Sequence, residues 1–207
     1  MVWKVEKWLT DVFPGKEKIY SEYQSLSPRE LAIVSAAVLD IALAELISLR
    51  LNDLSSECED FLGLDGDGRA PVASFGARIQ LALLVGLITS DDAAVLRAVK
   101  KLRNQFAHRV RVHFLSPAVL KATKNLHGAW LARMTRLSHV RTSDIELAGY
   151  RKLGRYLDSV PDAGAGLLLA VLTVYQAYFH QIHGTVIRVG EGVDVSSGKT
   201  IGGRGVH

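Results

Sequence analysis

Within one heptapeptide, Leu102-Arg103-Asn104-Gln105-Phe106-Ala107-His108, the chain brings together an arginine, an asparagine and a histidine, a set of side chains suited to an anionic partner. At about 100° per helical residue, Val95, Val99, Leu102 and Phe106 fall on one narrow stripe that must be buried. Asn104 and His108 then share the far face with Arg97, Lys100, Lys101 and Arg111, so the polar side of this helix is basic. A basic face predicts a nucleic acid, RNA or DNA, or an acidic regulatory protein as partner. Arg103 projects close to the apolar stripe, roughly 140° from His108. That position suits a second role, as the counter-charge to a carboxylate. Asp40 is stranded in an otherwise apolar segment, and a buried carboxylate requires such a partner. Arg78 is the other candidate, so Asp40, Arg78 and Arg103 form a predicted structural polar cluster. Arg103, Asn104 and His108 would in that case serve the scaffold, satisfying the last helical carbonyls and gaining from the dipole.

Other motifs promise less chemistry. Gly192 to Thr200 ends in Gly-Lys-Thr like a phosphate-binding loop, but its glycine spacing is one residue too long and Ile201-Gly202-Gly203 cannot open the helix that such a loop needs. His180 and His183 share a helical face without an evident third ligand. Asp65 and Asp67 lack the downstream glutamate of a calcium loop. The sequence therefore predicts no cofactor and no metal.

The elements that must position the Arg-Asn-His set are marked by plain helix signals. Ser27-Pro28-Arg29-Glu30 combines an N-cap, a proline at the first helical position and a capping-box glutamate, opening a long apolar helix to about Leu51. Residues 52–71 read as a loop region holding one short helix. A second long helix runs from Ser74 to Gly86, and Thr89-Ser90-Asp91-Asp92 caps the third, which reaches about His108. Ser116-Pro117, Ser143 with Glu146, and Pro161-Asp162 open three more, reaching roughly Val140, Ser159 and His183. In the tail, Val186–Val189 and Val193–Val195 predict a small β-hairpin, with residues 202–207 loose. The expected fold is all-α, a bundle of about six to seven helices with that hairpin appended. Its organisation is an N-terminal helical extension over residues 1–26, a core over 27–115, further helices packed on it over 116–185, and a hairpin or tail over 186–207.

Composition narrows the setting. The 207 residues are 48% hydrophobic and 22% charged with a net charge of +4, enough to bury a substantial core. That charge permits nucleic-acid contact without being that of a dedicated nucleic-acid coat. The single cysteine, Cys58, excludes an internal disulfide framework and fits a reducing compartment. The N-terminal stretch carries Lys4, Glu6, Lys7 and Asp11 and does not read as an export signal. The longest apolar run, residues 163–175, would span roughly 20 Å as a helix, short of the ~30 Å hydrocarbon core. A cytoplasmic protein without a membrane partner is expected.

The span from Ser27 to His108 resembles the mannitol operon repressor family. The resemblance is carried by Ser27-Pro28-Arg29-Glu30-Leu31-Ala32-Ile33-Val34-Ser35-Ala36-Ala37-Val38-Leu39-Asp40, by Ala73-Ser74-Phe75-Gly76-Ala77-Arg78-Ile79, by Leu84 to Ile88 and by Leu102 to His108. It implies an all-helical domain linked to transcriptional regulation. No helix-turn-helix with a recognition helix is evident. The heptapeptide also resembles the motif of HEPN domains, helical dimeric modules found in toxin and defence ribonucleases, in which an arginine with a polar neighbour is followed a few residues later by a histidine. That resemblance implies metal-independent RNA cleavage. His108 would be acid or base, Arg103 would stabilise the phosphorane, and Asn104 would orient phosphate or imidazole. One histidine per chain is too few for both proton transfers, so this reading implies a homodimer that apposes two such helices. A third reading is a HEPN-like partner-binding module without catalysis.

Overall fold

Capping chemistry sets where the helices begin. Ser27 and Glu30 exchange hydrogen bonds in a capping box, the Glu30 carboxylate accepting from the Ser27 N–H at 2.8 Å and the Ser27 hydroxyl from the Glu30 N–H at 3.3 Å. With Pro28 at the first position, this starts helix α1, Pro28–Ser48. The loop region that follows holds the short helix α2, Ser55–Leu62. Ser74 caps α3, Phe75–Leu84, through the Ala77 N–H. Gly86 closes that helix with φ 71°. Its N–H reaches Leu83 O at 3.2 Å and the next N–H, of Leu87, reaches Ala82 O at 2.9 Å, a Schellman end that only glycine adopts without strain. A second capping box, between Thr89 and Asp92, starts α4, Ser90–Ala107. The last three helices are α5 (Pro117–Ser138), α6 (Asp144–Gly154) and α7 (Ala163–Glu191).

This computed structural model describes residues 23, 25–51, 55–63, 68–138, 144–160 and 162–191. Among the described residues there are seven helices and no strand, an all-α bundle. One expectation is corrected. Residues 186–189, read as the first strand of a hairpin, continue α7 as helix to Glu191. The β-branched preference that suggested a strand amounts to tenths of a kcal/mol per residue. Prolonging an existing helix requires no new nucleus. Residues 193–195, the loose tail, Asp65, Asp67 and the Gly192 to Thr200 stretch lie outside the described residues, as do residues 1–22 and the side chains of His180 and His183.

Helix α1 is central, packed against α3, α4 and α7. It is long and apolar enough to cross a membrane by length and composition, yet 61% of its apolar window is buried inside the fold. Helices α1 and α4 are antiparallel, because Arg29 at the start of α1 donates to the carbonyls of Arg109 and Val110, just past the end of α4. Helix α7 also runs opposite to α4. Gly164 at its start lies against the Phe114 ring, where any Cβ would collide, and Tyr175 and Tyr178 reach Asp92 at the start of α4.

That Asp92 is 2% exposed and ties three helices together. One carboxylate oxygen accepts from Arg133 of α5 at 2.5 Å and from the Tyr175 hydroxyl at 2.9 Å; the other accepts from the Thr89 N–H and hydroxyl and from Tyr178. The Arg133 guanidinium lies 4.8 and 5.0 Å from the ring centroids of Tyr175 and Tyr178 and 5.7 Å from that of Trp130, a desolvated cation–π setting. Burial opposes the Asp92 charge, but Arg133 and Thr89 overcome it, so the carboxyl sits below its ordinary range. Burial also weighs against the Arg133 cation, and Tyr175 and Asp92 raise its pKa nonetheless. The same burial pushes Tyr178 up to about 12.

Glu45 on α1 has no such relief. It is 6% exposed, its Oε1 has no hydrogen-bond partner among the described residues, and burial raises its pKa from 4.5 to about 7. A carboxyl with a raised folded-state pKa contributes its full stability below the unfolded value, and that contribution is lost as pH rises through the folded one. Chemical denaturation should therefore show stability falling between pH 4.5 and about 7, by up to roughly 3 kcal/mol. Glu45→Gln should flatten that window; an unchanged pH profile in the variant would refute the assignment.

Candidate functional site

Helix α4 places the sequence-predicted residues on two sides. Val95, Val99, Leu102 and Phe106 are buried against the core, Phe106 edge-on to Phe114 at 5.1 Å. Arg97, Lys101 and His108 are exposed, and Lys100, Arg103 and Asn104 are half-buried. Arg111 is exposed but does not share the helical face, since α4 ends at Ala107 with His108 as its C-cap and Arg111 belongs to the loop beyond. Arg29 holds that loop against α1 through the Arg109 and Val110 carbonyls, and so fixes where Arg109 and Arg111 emerge.

Asp40 finds its partner in Arg78. The guanidinium donates to Asp40 Oδ1 at 2.8 Å, to Leu62 O at 2.7 Å and to Val72 O at 3.1 Å, joining α1, the end of α2 and the turn before α3. Arg103 does not bond to Asp40. Its Nη1 donates to Asn104 Oδ1 at 3.1 Å, and its charge acts on Asp40 only through space, as does that of Lys100. Burial raises the Asp40 pKa, a shift that Arg78, Arg103 and Lys100 each oppose. Arg103 and Asn104 are thus brought together, with His108 one turn beyond, its N–H bonded to Asn104 O at 3.2 Å.

Charge is distributed unevenly around this element. Residues 93–143 contain eleven Lys and Arg and no Asp or Glu, so the rest of the chain is net negative. The two acids that open α4 are taken by arginines of α5, Asp92 by Arg133 and Asp91 by Arg136 at 3.0 Å. Among the described residues, none of Arg97, Lys100, Lys101, Arg103, Arg109 and Arg111 is in an ion pair. Arg97 donates to Gln80 Oε1 at 3.0 Å, and the Lys100 ammonium rests against Gly76 in the first turn of α3. Also among the described residues, no group of three or more His, Cys, Asp or Glu is placed to hold a metal.

Sequence reasoning missed the Asp92–Arg133 centre and the roles of Arg29 and Gly76. A signal for the first was present, because Arg133 interrupts the stripe Val119, Leu126, Trp130 and Met134, all buried on α5. A cation on an apolar stripe demands a buried counter-charge.

The chain is therefore an all-α bundle with a basic, unpaired surface at one end of α4. In comparison with known proteins, it matches no family model, no curated protein and no solved structure.

Breaking a buried ion pair from one side costs roughly 3–5 kcal/mol. Arg78→Ala, which strands Asp40 and two carbonyls, should lose about that much in urea unfolding. Arg103→Ala should stay within about 1 kcal/mol of wild type. The opposite order of stabilities would make Arg103 the scaffold residue.

Proposed function

We propose that this chain is a cytoplasmic regulatory module of the kind that its resemblance to the mannitol operon repressor family implies, and that it acts by docking nucleic acid on the basic end of α4. The observation that carries the reading is the run of unpaired cations from Arg97 to Arg111 within an acid-free stretch of the chain. Cations that a fold leaves without carboxylates repel one another, and a polyanion removes that repulsion while releasing its own counterions. Contacts of this kind position a nucleic acid without reading its sequence, which agrees with the lack of an evident recognition helix.

A second reading is a metal-independent endoribonuclease of HEPN type, and the Asp40–Arg78 pair favours it. With Asp40 already answered, the Arg103 guanidinium is, among the described residues, committed only to its neighbour Asn104 and is available to phosphate. His108, exposed at the helix end, would act as acid or base, and a second copy in a homodimer would supply the other proton transfer.

One experiment addresses both. Wild type and His108→Ala, each checked for folding by circular dichroism, are incubated with a labelled structured RNA in EDTA. Binding by both proteins is expected, with log affinity falling against log salt at a slope of about −3 or steeper, as four or more phosphate contacts require. Cleavage by the wild type alone would establish the ribonuclease. Absence of binding at low salt to either RNA or duplex DNA would overturn the nucleic-acid reading and point to a protein partner.

A further inference from the structure

Asp40 is bonded to Arg78 of α3 and faces the charges of two cations of α4. Those two, Lys100 and Arg103, are close enough to act on its charge without pairing with it. The site therefore carries an excess of positive charge on two half-buried side chains. Lys100 is also held in an unusual place. Its ammonium occupies the space that a Cβ on Gly76 would fill, in the first turn of α3. That end of a helix carries the positive pole of the dipole, so α3 does not stabilise the ammonium there. Arg103 meanwhile is turned toward Asn104 by the hydrogen bond to its side-chain oxygen. Gly76, without a side chain, borders the position.

We infer that Lys100 and Arg103, with Asn104 beside them, form a seat for one phosphodiester group of a nucleic-acid strand, and that Gly76 determines the seat because its missing side chain lets the Lys100 ammonium lie there. The inference rests on the nucleic-acid reading above and gives it a defined contact within the broader basic strip. A phosphate in this seat would accept from the Arg103 guanidinium and the Lys100 ammonium together, a charge-assisted set stronger than either alone. Lys101, Arg109 and Arg111, all exposed, would serve the neighbouring phosphates by charge alone.

Gly76→Ala tests this without altering the charge of the protein. Alanine is the better helix former, and the atom that it displaces is the end of a flexible lysine, so the fold is retained while Lys100 must leave. Binding of a fluorescein-labelled RNA hairpin is followed by anisotropy at fixed salt for wild type, Gly76→Ala, Lys100→Gln and the double variant, with thermal melts in parallel. The expected result is a loss of about tenfold in each single variant and no further loss in the double. Wild-type affinity in Gly76→Ala, or additive losses in the double variant, would overturn the seat while leaving the wider basic surface intact. Failure of the wild type itself to bind would overturn the seat together with the nucleic-acid reading on which it rests.

Discussion

The Asp92 carboxylate, buried at the start of α4 and bonded to Arg133, Tyr175, Tyr178 and Thr89, joins α4, α5 and α7 at one point. Two opposite charges taken out of water gain little unless every remaining donor and acceptor is satisfied. Here five donors converge on the carboxylate, and three aromatic rings surround the guanidinium. The pair therefore fixes how α4, α5 and α7 are placed against one another. With its first turn held to α5 and α7, α4 lays its later turns along α1 and α3, where Gly76 meets Lys100 and Arg29 meets the loop beyond Ala107.

The same pairing decides which charges remain for function. Asp91 and Asp92 are the last acids before a long acid-free stretch, and both are consumed by arginines from the end of α5. Asp40, whose charge Lys100 and Arg103 of α4 feel, is consumed by Arg78. Asp40, Asp91 and Asp92 are thus each bonded to an arginine of another helix. The positive surface at residues 97–111 follows from that allocation and does not depend on an extreme net charge. Gly76 and the Arg29 contact then set where two of its parts, the Lys100 ammonium and the 109–111 loop, come to rest.

Local chemistry was the legible part of the sequence. The starts of α1 and α4 follow from Ser27 with Glu30 and from Thr89 with Asp92, and the end of α3 follows from Gly86, because a cap is decided by residues within one turn. Burial of Leu102 and Phe106 was legible for the same reason, from their spacing. Asp40 was recognisable as a charge needing a partner, but the choice between Arg78 and Arg103 turned on distances between helices, which spacing along one helix does not contain. Asp92 illustrates the limit most clearly. Its role as a cap reads directly from Thr89, while the arginine and the tyrosines that complete its bonding come from 41 and more residues away. The Val186–Val189 strand was misread because β-branched propensity is weaker than the continuation of a helix already formed.

The proposed nucleic-acid surface is tested most directly by mapping which residues of the folded chain respond to an RNA hairpin. Backbone amide shifts of the isotope-labelled full chain, recorded during titration with an RNA hairpin, should move along residues 97–111 and at Gly76, and stay still on α6 around Arg151 and Lys152, which are also basic and exposed. Shifts centred on α6, or spread evenly over every exposed cation, would contradict the claim that the allocation of acids around α4 creates the binding surface.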